Sequence, residues 1–112
     1  MHEYSLVMSL IERVEVEAKQ RAAKGIRRIS VRVGELSGVE AELLASAFDI
    51  AKTGTICEST QLEVQREPAR WACPRCHATL DAAKSLCCVT CDTAGQLVEG
   101  GDLLFEQMEI EV

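Results

Sequence analysis

The chain opens with apolar residues at helical intervals. Tyr4, Val7, Ile11, Val14 and Ala18 recur every three or four positions, which places them on one stripe of an α-helix. Glu12, Arg13, Glu15, Glu17, Lys19 and Gln20 cover the rest, so the pattern predicts an amphipathic helix over residues 4–24 with Gly25 as its stop. The period then changes to two. Ile29, Val31 and Val33 alternate with Arg28, Ser30 and Arg32, which predicts a half-buried strand over residues 27–33. Ser37-Gly38-Val39-Glu40 has the spacing of a capping box, with Ser37 as N-cap and Glu40 reaching back. A second helix should follow, with Leu43, Leu44, Ala47, Phe48 and Ala51 on one face and an end near Gly54. Leu62 and Val64 alternate with Glu63 and Gln65, a strand over residues 60–67 that Pro68 closes. A last strand is expected over residues 103–112, where Met108, Ile110 and Val112 alternate with Glu109 and Glu111. Leu104 shares their parity and Glu106 breaks it, so a bulge is expected near residues 105–107.

Between these segments the periodicity lapses. Residues 69–98 carry paired cysteines and too few large apolar side chains for a core of their own. The order helix, strand, helix, strand, insert, strand predicts an α+β fold: a small three-stranded sheet with two helices on one face, plus an inserted four-cysteine zinc-ribbon-like domain. The expected division is residues 1–68 with 99–112 as one domain and 69–98 as the other. No internal repeat is visible beyond the two cysteine pairs.

Composition narrows the function. An apolar fraction of 47% is enough for a folded chain. Tyr4, Phe48, Trp71 and Phe105 are the only aromatics, so the core must be mostly aliphatic, and a chain this small gains from a metal staple. Twelve cationic against eighteen acidic residues give a net charge of −6, which disfavours nucleic acid and anionic membranes as partners. No basic stretch precedes an apolar run at the start, and no apolar run approaches the ~18 residues needed to span a bilayer. A cytoplasmic protein is the expectation. In a reducing compartment six cysteines read as metal ligands or free thiols, not disulfides.

Cys73-Pro74-Arg75-Cys76 and Cys88-Val89-Thr90-Cys91 form two CxxC knuckles. A two-residue gap lets both sulfurs of one turn converge on an ion, and the intervening loop brings the second knuckle opposite. Four thiolates from Cys73, Cys76, Cys88 and Cys91 satisfy tetrahedral zinc and leave no open position, the pattern of a structural site; iron is the main competitor for such a set. Cys73 to His77 also matches a c-type haem attachment pattern, but haem attachment needs an exported chain and would leave the second pair unexplained. Neither pair sits between a strand and a helix of a βαβ unit, which argues against thioredoxin-like redox chemistry. A zinc ribbon that binds nucleic acid is the serious rival, opposed by the net charge and by Lys84 being the only clear cation inside the loop. Cys57 reads as a small buried hydrophobe. Cys87 adjoins the second knuckle and could replace Cys88 at altered geometry. His77 reads as a surface residue or one beside the ligands.

The chain begins Met1-His2-Glu3. A free α-amine titrates near ~8, and amine, His2 amide nitrogen and His2 imidazole can close successive chelate rings around one ion. Nitrogen donors in a plane, with Glu3 oxygen nearby, suit square-planar Ni(II) or Cu(II) better than zinc.

With both features in view, the chain resembles the HypA/HybF family of hydrogenase nickel-incorporation proteins. The likeness is carried by Met1-His2-Glu3-Tyr4-Ser5-Leu6, Val33-Gly34-Glu35-Leu36-Ser37-Gly38-Val39, Gly54-Thr55, the two CxxC knuckles and Ile110-Glu111-Val112. It implies a nickel metallochaperone, not an enzyme, that delivers Ni(II) during maturation of [NiFe]-hydrogenase, with some relatives serving urease. It further implies a nickel site of Met1, His2 and Glu3, structural Zn(II) on Cys73, Cys76, Cys88 and Cys91, and partners in a HypB-type GTPase and a hydrogenase large-subunit precursor. The expected assembly is a monomer or weak homodimer. The second knuckle departs from the family's usual Cys-Pro-x-Cys-Gly: it ends Cys91-Asp92, which leaves the turn less preset and puts a carboxylate beside a thiolate.

Overall fold

The computed structural model describes residues 3–112. The first helix, α1 (Glu3–Gln20), buries Glu3, Val7, Ile11, Val14 and Ala18. The buried stripe therefore starts at Glu3, and Tyr4, expected to lead it, is 49% exposed. The helix also stops before Gly25. Ala22 adopts φ 53°, its N–H donates to Lys19 O, and the Ala23 N–H reaches back to Ala18 O at 3.0 Å. That pair of bonds is a Schellman ending with alanine in the left-handed position. Gly25 instead opens the first strand, β1 (Gly25–Gly34).

Helix α2 (Ala41–Ala51) begins later than the capping-box spacing predicts. Glu40 is its N-cap and makes no side-chain capping bond. The Ser37 hydroxyl donates to Gly34 O at 2.7 Å and accepts the Val39 N–H at 3.2 Å. A serine two residues from an N–H closes a local turn more readily than it caps a helix further on. Leu44 and Phe48 face the core, whereas Leu43, expected beside them, is half exposed. Gly54 lies in the following turn at φ 78°.

Strand β2 (Gln61–Glu67) follows. Then come the short strands β3 (Arg70–Ala72), β4 (Thr79–Leu80), β5 (Cys87–Cys88), β6 (Thr93–Ala94) and β7 (Gln96–Glu99), and the long last strand β8 (Leu103–Glu111). They form three sheets, ordered β2-β1-β8, β4-β3-β7 and β5-β6. In the first, β2 runs parallel to β1 through the α2 crossover and β8 runs antiparallel. The register of β8 shifts between Gln107 and Phe105. Glu106 is the extra residue, and the bulge turns Phe105 toward the core where strict alternation would have turned Leu104. The fold is α+β: two helices on a three-stranded sheet, with small sheets around a four-cysteine cluster.

The core lies between the two helices and the first sheet. Val7, Ile11, Val14 and Ala18 meet Ile26, Ile29, Val31 and Val33 of β1, with Leu44, Phe48 and Cys57. The opposite sheet face is a charge ladder. Arg28 stands between Glu63 and Glu109, and Arg32 between Glu67 and Glu106.

Two chain crossings join this unit to the short sheets, and both are tied to the carboxyl end of β1. The Gly34 N–H donates to Asp102 O, and Glu35 Oε1 accepts the Ala69 N–H at 2.8 Å. Buried Glu67 accepts the Gly100 N–H through Oε1 at 2.8 Å and bonds Arg32 through Oε2. A side chain on Gly34 would overlap the Gly100 carbonyl, so glycine is needed there for the strands to meet so closely.

Candidate metal centre

The first knuckle grows from the end of β3. The Cys73 N–H donates to Ala78 O and the His77 N–H to Cys73 O, both at 2.9 Å, which folds the six residues into a closed turn. The Arg75 N–H points at Cys73 Sγ from 3.4 Å. The second knuckle grows from β5, whose alternation buries Cys88 and exposes Cys87. Cys87 thus takes the face away from the cluster, and Cys88 is the residue that joins it.

Each knuckle places the residue after its second cysteine in the left-handed region: His77 at φ 64° and Asp92 at φ 48°. Aspartate and histidine tolerate that region better than most side chains. Asp92 therefore makes the same turn that glycine would, and the departure of the second knuckle from the family pattern costs little in geometry.

Together the knuckles bring the sulfurs of Cys73, Cys76, Cys88 and Cys91 within 4.8 Å of one another. Cys76 Sγ and Cys88 Sγ are 3.8 Å apart. A tetrahedral ion with metal–sulfur bonds of ~2.3 Å sets its ligands ~3.8 Å apart, so the cage has the dimensions of a tetrahedral thiolate site. Its electrostatics call for a cation. The Cys73 thiol is lowered to about 7, chiefly by the backbone N–H of Cys76. The Cys91 thiol is pushed up to about 12, chiefly by its hydrogen bond with Cys76. One thiolate forms readily and the last resists, held by its hydrogen bonds, by burial and, least, by the charge of its neighbours, all of which a cation among the sulfurs would offset.

Two other cysteines and one histidine stand outside the cluster. Cys57 is fully buried in the main core, where burial pushes its thiol up, in keeping with a small packed hydrophobe. Cys87 is exposed on β5, and His77 is exposed at the rim of the first knuckle.

At the other end of the chain, Glu3 is only 8% exposed. Its Oε2 accepts the Glu40 N–H at 3.2 Å, at the N-terminus of α2. Nothing in the sequence pattern announced this contact, because residues 3 and 40 belong to different helices. Glu40 also lines a cleft of about 510 Å³ with Val33, Gly34, Glu35, Arg66 and Pro68, among others. Met1 and His2, the other two residues expected to hold nickel, lie outside the described residues. Among the described residues, no helix is long and apolar enough to cross a membrane.

The family model for hydrogenase/urease nickel incorporation, the HypA metallochaperones, matches residues 1–110. The chain belongs to the HypA family. It is 37% identical to the hydrogenase maturation factor HypA of Shewanella baltica over 99% of this chain and 97% of that protein. With the Aquifex aeolicus factor of the same name the identity is 33%, over 100% of this chain and 99% of that one. Among solved structures, the Ni metallochaperone HypA from Helicobacter pylori superposes with a TM-score of 0.75 at 28% identity, covering 100% of this chain and 99% of the other. A second HypA solution structure gives a TM-score of 0.81 at 29% identity, over 98% and 96% of the two chains. The fold from α1 to β8 is thus one that the two HypA solution structures share over nearly their whole length.

Proposed function

We propose that this protein carries Ni(II) to a hydrogenase precursor and is not an enzyme. The observation that supports this best is the closed cage of four sulfurs in a chain matched along residues 1–110 by nickel-incorporation proteins. Four thiolates around zinc leave no coordination position for a substrate, so this centre is structural. When bound, zinc supplies the cross-link that holds residues 69–98 together. The delivery unit is then residues 1–68 with 99–112.

Nickel is the cargo. Its site is the Met1 amine with the His2 amide and imidazole nitrogens, a planar nitrogen set that favours Ni(II) over zinc, with Glu3 adjoining. Such a site loads and unloads by ligand exchange with partners, here a HypB-type GTPase and the hydrogenase large-subunit precursor, in the cytoplasm. Proton competition sets its pH dependence. The imidazole and the amine must both lose protons to bind, so nickel affinity falls as pH drops through roughly 6–8. A nucleic-acid role gains no support from the cysteine segment: of its cations, Arg70 is paired with Glu99 at 3.3 Å, leaving Arg75 and Lys84 for a phosphate backbone.

The test is a calorimetric nickel titration of three zinc-loaded proteins: the native chain, His2→Ala, and the native chain with one residue added before Met1. Delivery from the terminus requires that His2→Ala abolish one-to-one binding and that the extension, which displaces only the amine, weaken it. Equal binding by all three, or none, excludes the terminal site.

A further inference from the structure

Strand β8 is nine residues long and lies at an edge of its sheet. It pairs with β1 on one side, and among the described residues no strand pairs with the other. Every second residue of such an edge turns its N–H and C=O outward, which templates a further extended chain. A groove runs beside this edge on the helix side. Leu6, Leu10, Arg13, Glu17 and Arg21 recur at spacings of three and four along α1, and they face the inward side chains of β8 across two hollows that share Phe105. One, of about 200 Å³, is walled by Leu6, Leu10, Leu103 and Phe105, among others. The second, of about 250 Å³, is walled by Met108 and Ile110 together with Glu17 and Arg21. The cations of the helix wall are engaged. Arg13 lies over the Phe105 ring and pairs with Glu17 at 3.7 Å, and Arg21 donates to Glu17 O at 3.2 Å. The other face of β8 is acidic. Glu109 and Glu111 alternate with the inward Met108 and Ile110, Glu106 stands at the bulge, and the strand contains no cation of its own. Arg28 and Arg32 of β1 offset part of that charge.

We infer that the outer edge of β8 is a docking site for an extended segment of another protein, added as a fourth strand with apolar side chains toward α1 and lysine or arginine on the opposite face. Each part of that chemistry has its own source. The unpaired backbone of β8 selects an extended chain, because only a strand can take up its outward N–H and C=O groups in register. The hollows beside Phe105 and Met108 accept every second side chain of that strand, and their Leu6, Leu10, Leu103 and Ile110 walls favour apolar ones. The carboxylates of Glu106, Glu109 and Glu111 favour cations at the positions between. The same carboxylates exclude a second copy of this chain as the occupant. Pairing β8 with β8 would crowd two such rows in one sheet, where like charges across strands repel, in a chain already at −6. Charge at an edge commonly guards it against self-pairing; here it also defines which foreign strand is admitted. This surface owes nothing to either metal site.

The probe is a capped peptide of alternating lysine and valine, added to the zinc-loaded full chain while amide exchange is followed residue by residue. Two N-methylated forms accompany it, one methylated on every valine and one on every lysine. In a strand the valine N–H groups point to one edge and the lysine N–H groups to the other, so one form loses the bonds to β8 and the other keeps them. The expected result is slower exchange of the outward amides of β8 with the parent peptide, and binding weakened at least about tenfold in one methylated form alone. Replacing Glu109 and Glu111 together by glutamine, both exposed, should weaken the parent peptide about threefold, and added salt should do the same. Equal binding by the parent and both methylated forms would reduce the contact to charge alone and overturn the strand. A peptide of alternating glutamate and valine that binds as well as the lysine form would overturn the basic specificity. Protection on β2 in place of β8, or none on β8 at about 1 mM peptide, would overturn the site. Protection of β8 that rises with protein concentration and no peptide would make the occupant a second copy, which also overturns the proposal.

Discussion

The helix-bearing sheet and the cysteine segment are parts of one short chain held by different forces. In the first, eleven apolar residues from Val7 to Cys57 form one buried cluster. In the second, the buried apolar residues are Ala72, Cys73 and Cys88, and two of those three belong to the four-cysteine cluster. Hydrophobic burial grows with area at ~25 cal/mol per Å², and the cysteine segment has little area to bury. Its strands are two to four residues long, too short to stand alone. One region is thus stable by packing, and the other, on the zinc site proposed above, is held by an ion.

The largest effect expected from that difference follows removal of the metal. Structural zinc contributes on the order of 10–16 kcal/mol to small cysteine domains at neutral pH. Chelation or Cys88→Ser should therefore abolish amide protection across β3 to β7 while β1 amides remain protected. Amide exchange reads both regions at once, and a single collapse of the whole chain would show that they are not independent. Acid should act in the same direction. The Cys91 thiol, pushed up to about 12, keeps its proton at neutral pH and must surrender it to the metal. Cys73, lowered to about 7, gains a proton as pH falls through that value. Metal affinity should accordingly weaken as pH drops from roughly 8 to 6, which a competition titration with a chromophoric chelator would show.

A core truncation tests the opposite side. Phe48 is fully buried among Val, Ile and Leu side chains, and Phe→Ala in such a site costs about 3–5 kcal/mol. Phe48→Ala should destabilise the helix–sheet unit by that amount in a denaturant titration and leave the zinc affinity within about threefold of the native value. A large loss of zinc affinity would mean that the tie from Glu67 to Gly100 and from Glu35 to Ala69 transmits damage from one region to the other.

The same contrast explains what could be seen from the sequence. Both helices, the three main strands and the bulge around Glu106 announce themselves because a buried face imposes a period. The four cysteines of the cage announce themselves because two CxxC turns are a local pattern that brings sulfurs together. The misplaced details lie where neither rule operates. The end of α1 at Ala22 has no glycine to mark it. Ser37 matches a capping box by spacing yet closes a local turn, and α2 takes its cap from Glu3, thirty-seven positions away. The junction rests on Gly34, Glu35, Glu67 and Gly100, which share no periodicity and meet because two strands return to the same end of β1. Local patterns reveal what a segment does with its neighbours in sequence; contacts made in three dimensions by single residues leave no such trace.

The smallest effect sharpens the comparison from within the packed region. Ala22 ends α1 at φ 53°, a conformation that costs an L-residue about 1–2 kcal/mol relative to the right-handed form. Glycine adopts it freely but loses more backbone freedom on folding, about 0.5–1 kcal/mol. The difference favours Ala22→Gly by about 0.5–1 kcal/mol, because the Schellman bonds from Ala22 and Ala23 to Lys19 and Ala18 use backbone atoms that the substitution keeps. For a domain of this size that is a rise of roughly 2–6 °C in thermal midpoint. Calorimetry of the zinc-loaded protein should show the rise with no change in zinc affinity, since α1 belongs to the region held by packing. A lower midpoint would mean that the Ala22 methyl makes a contact worth more than its strain.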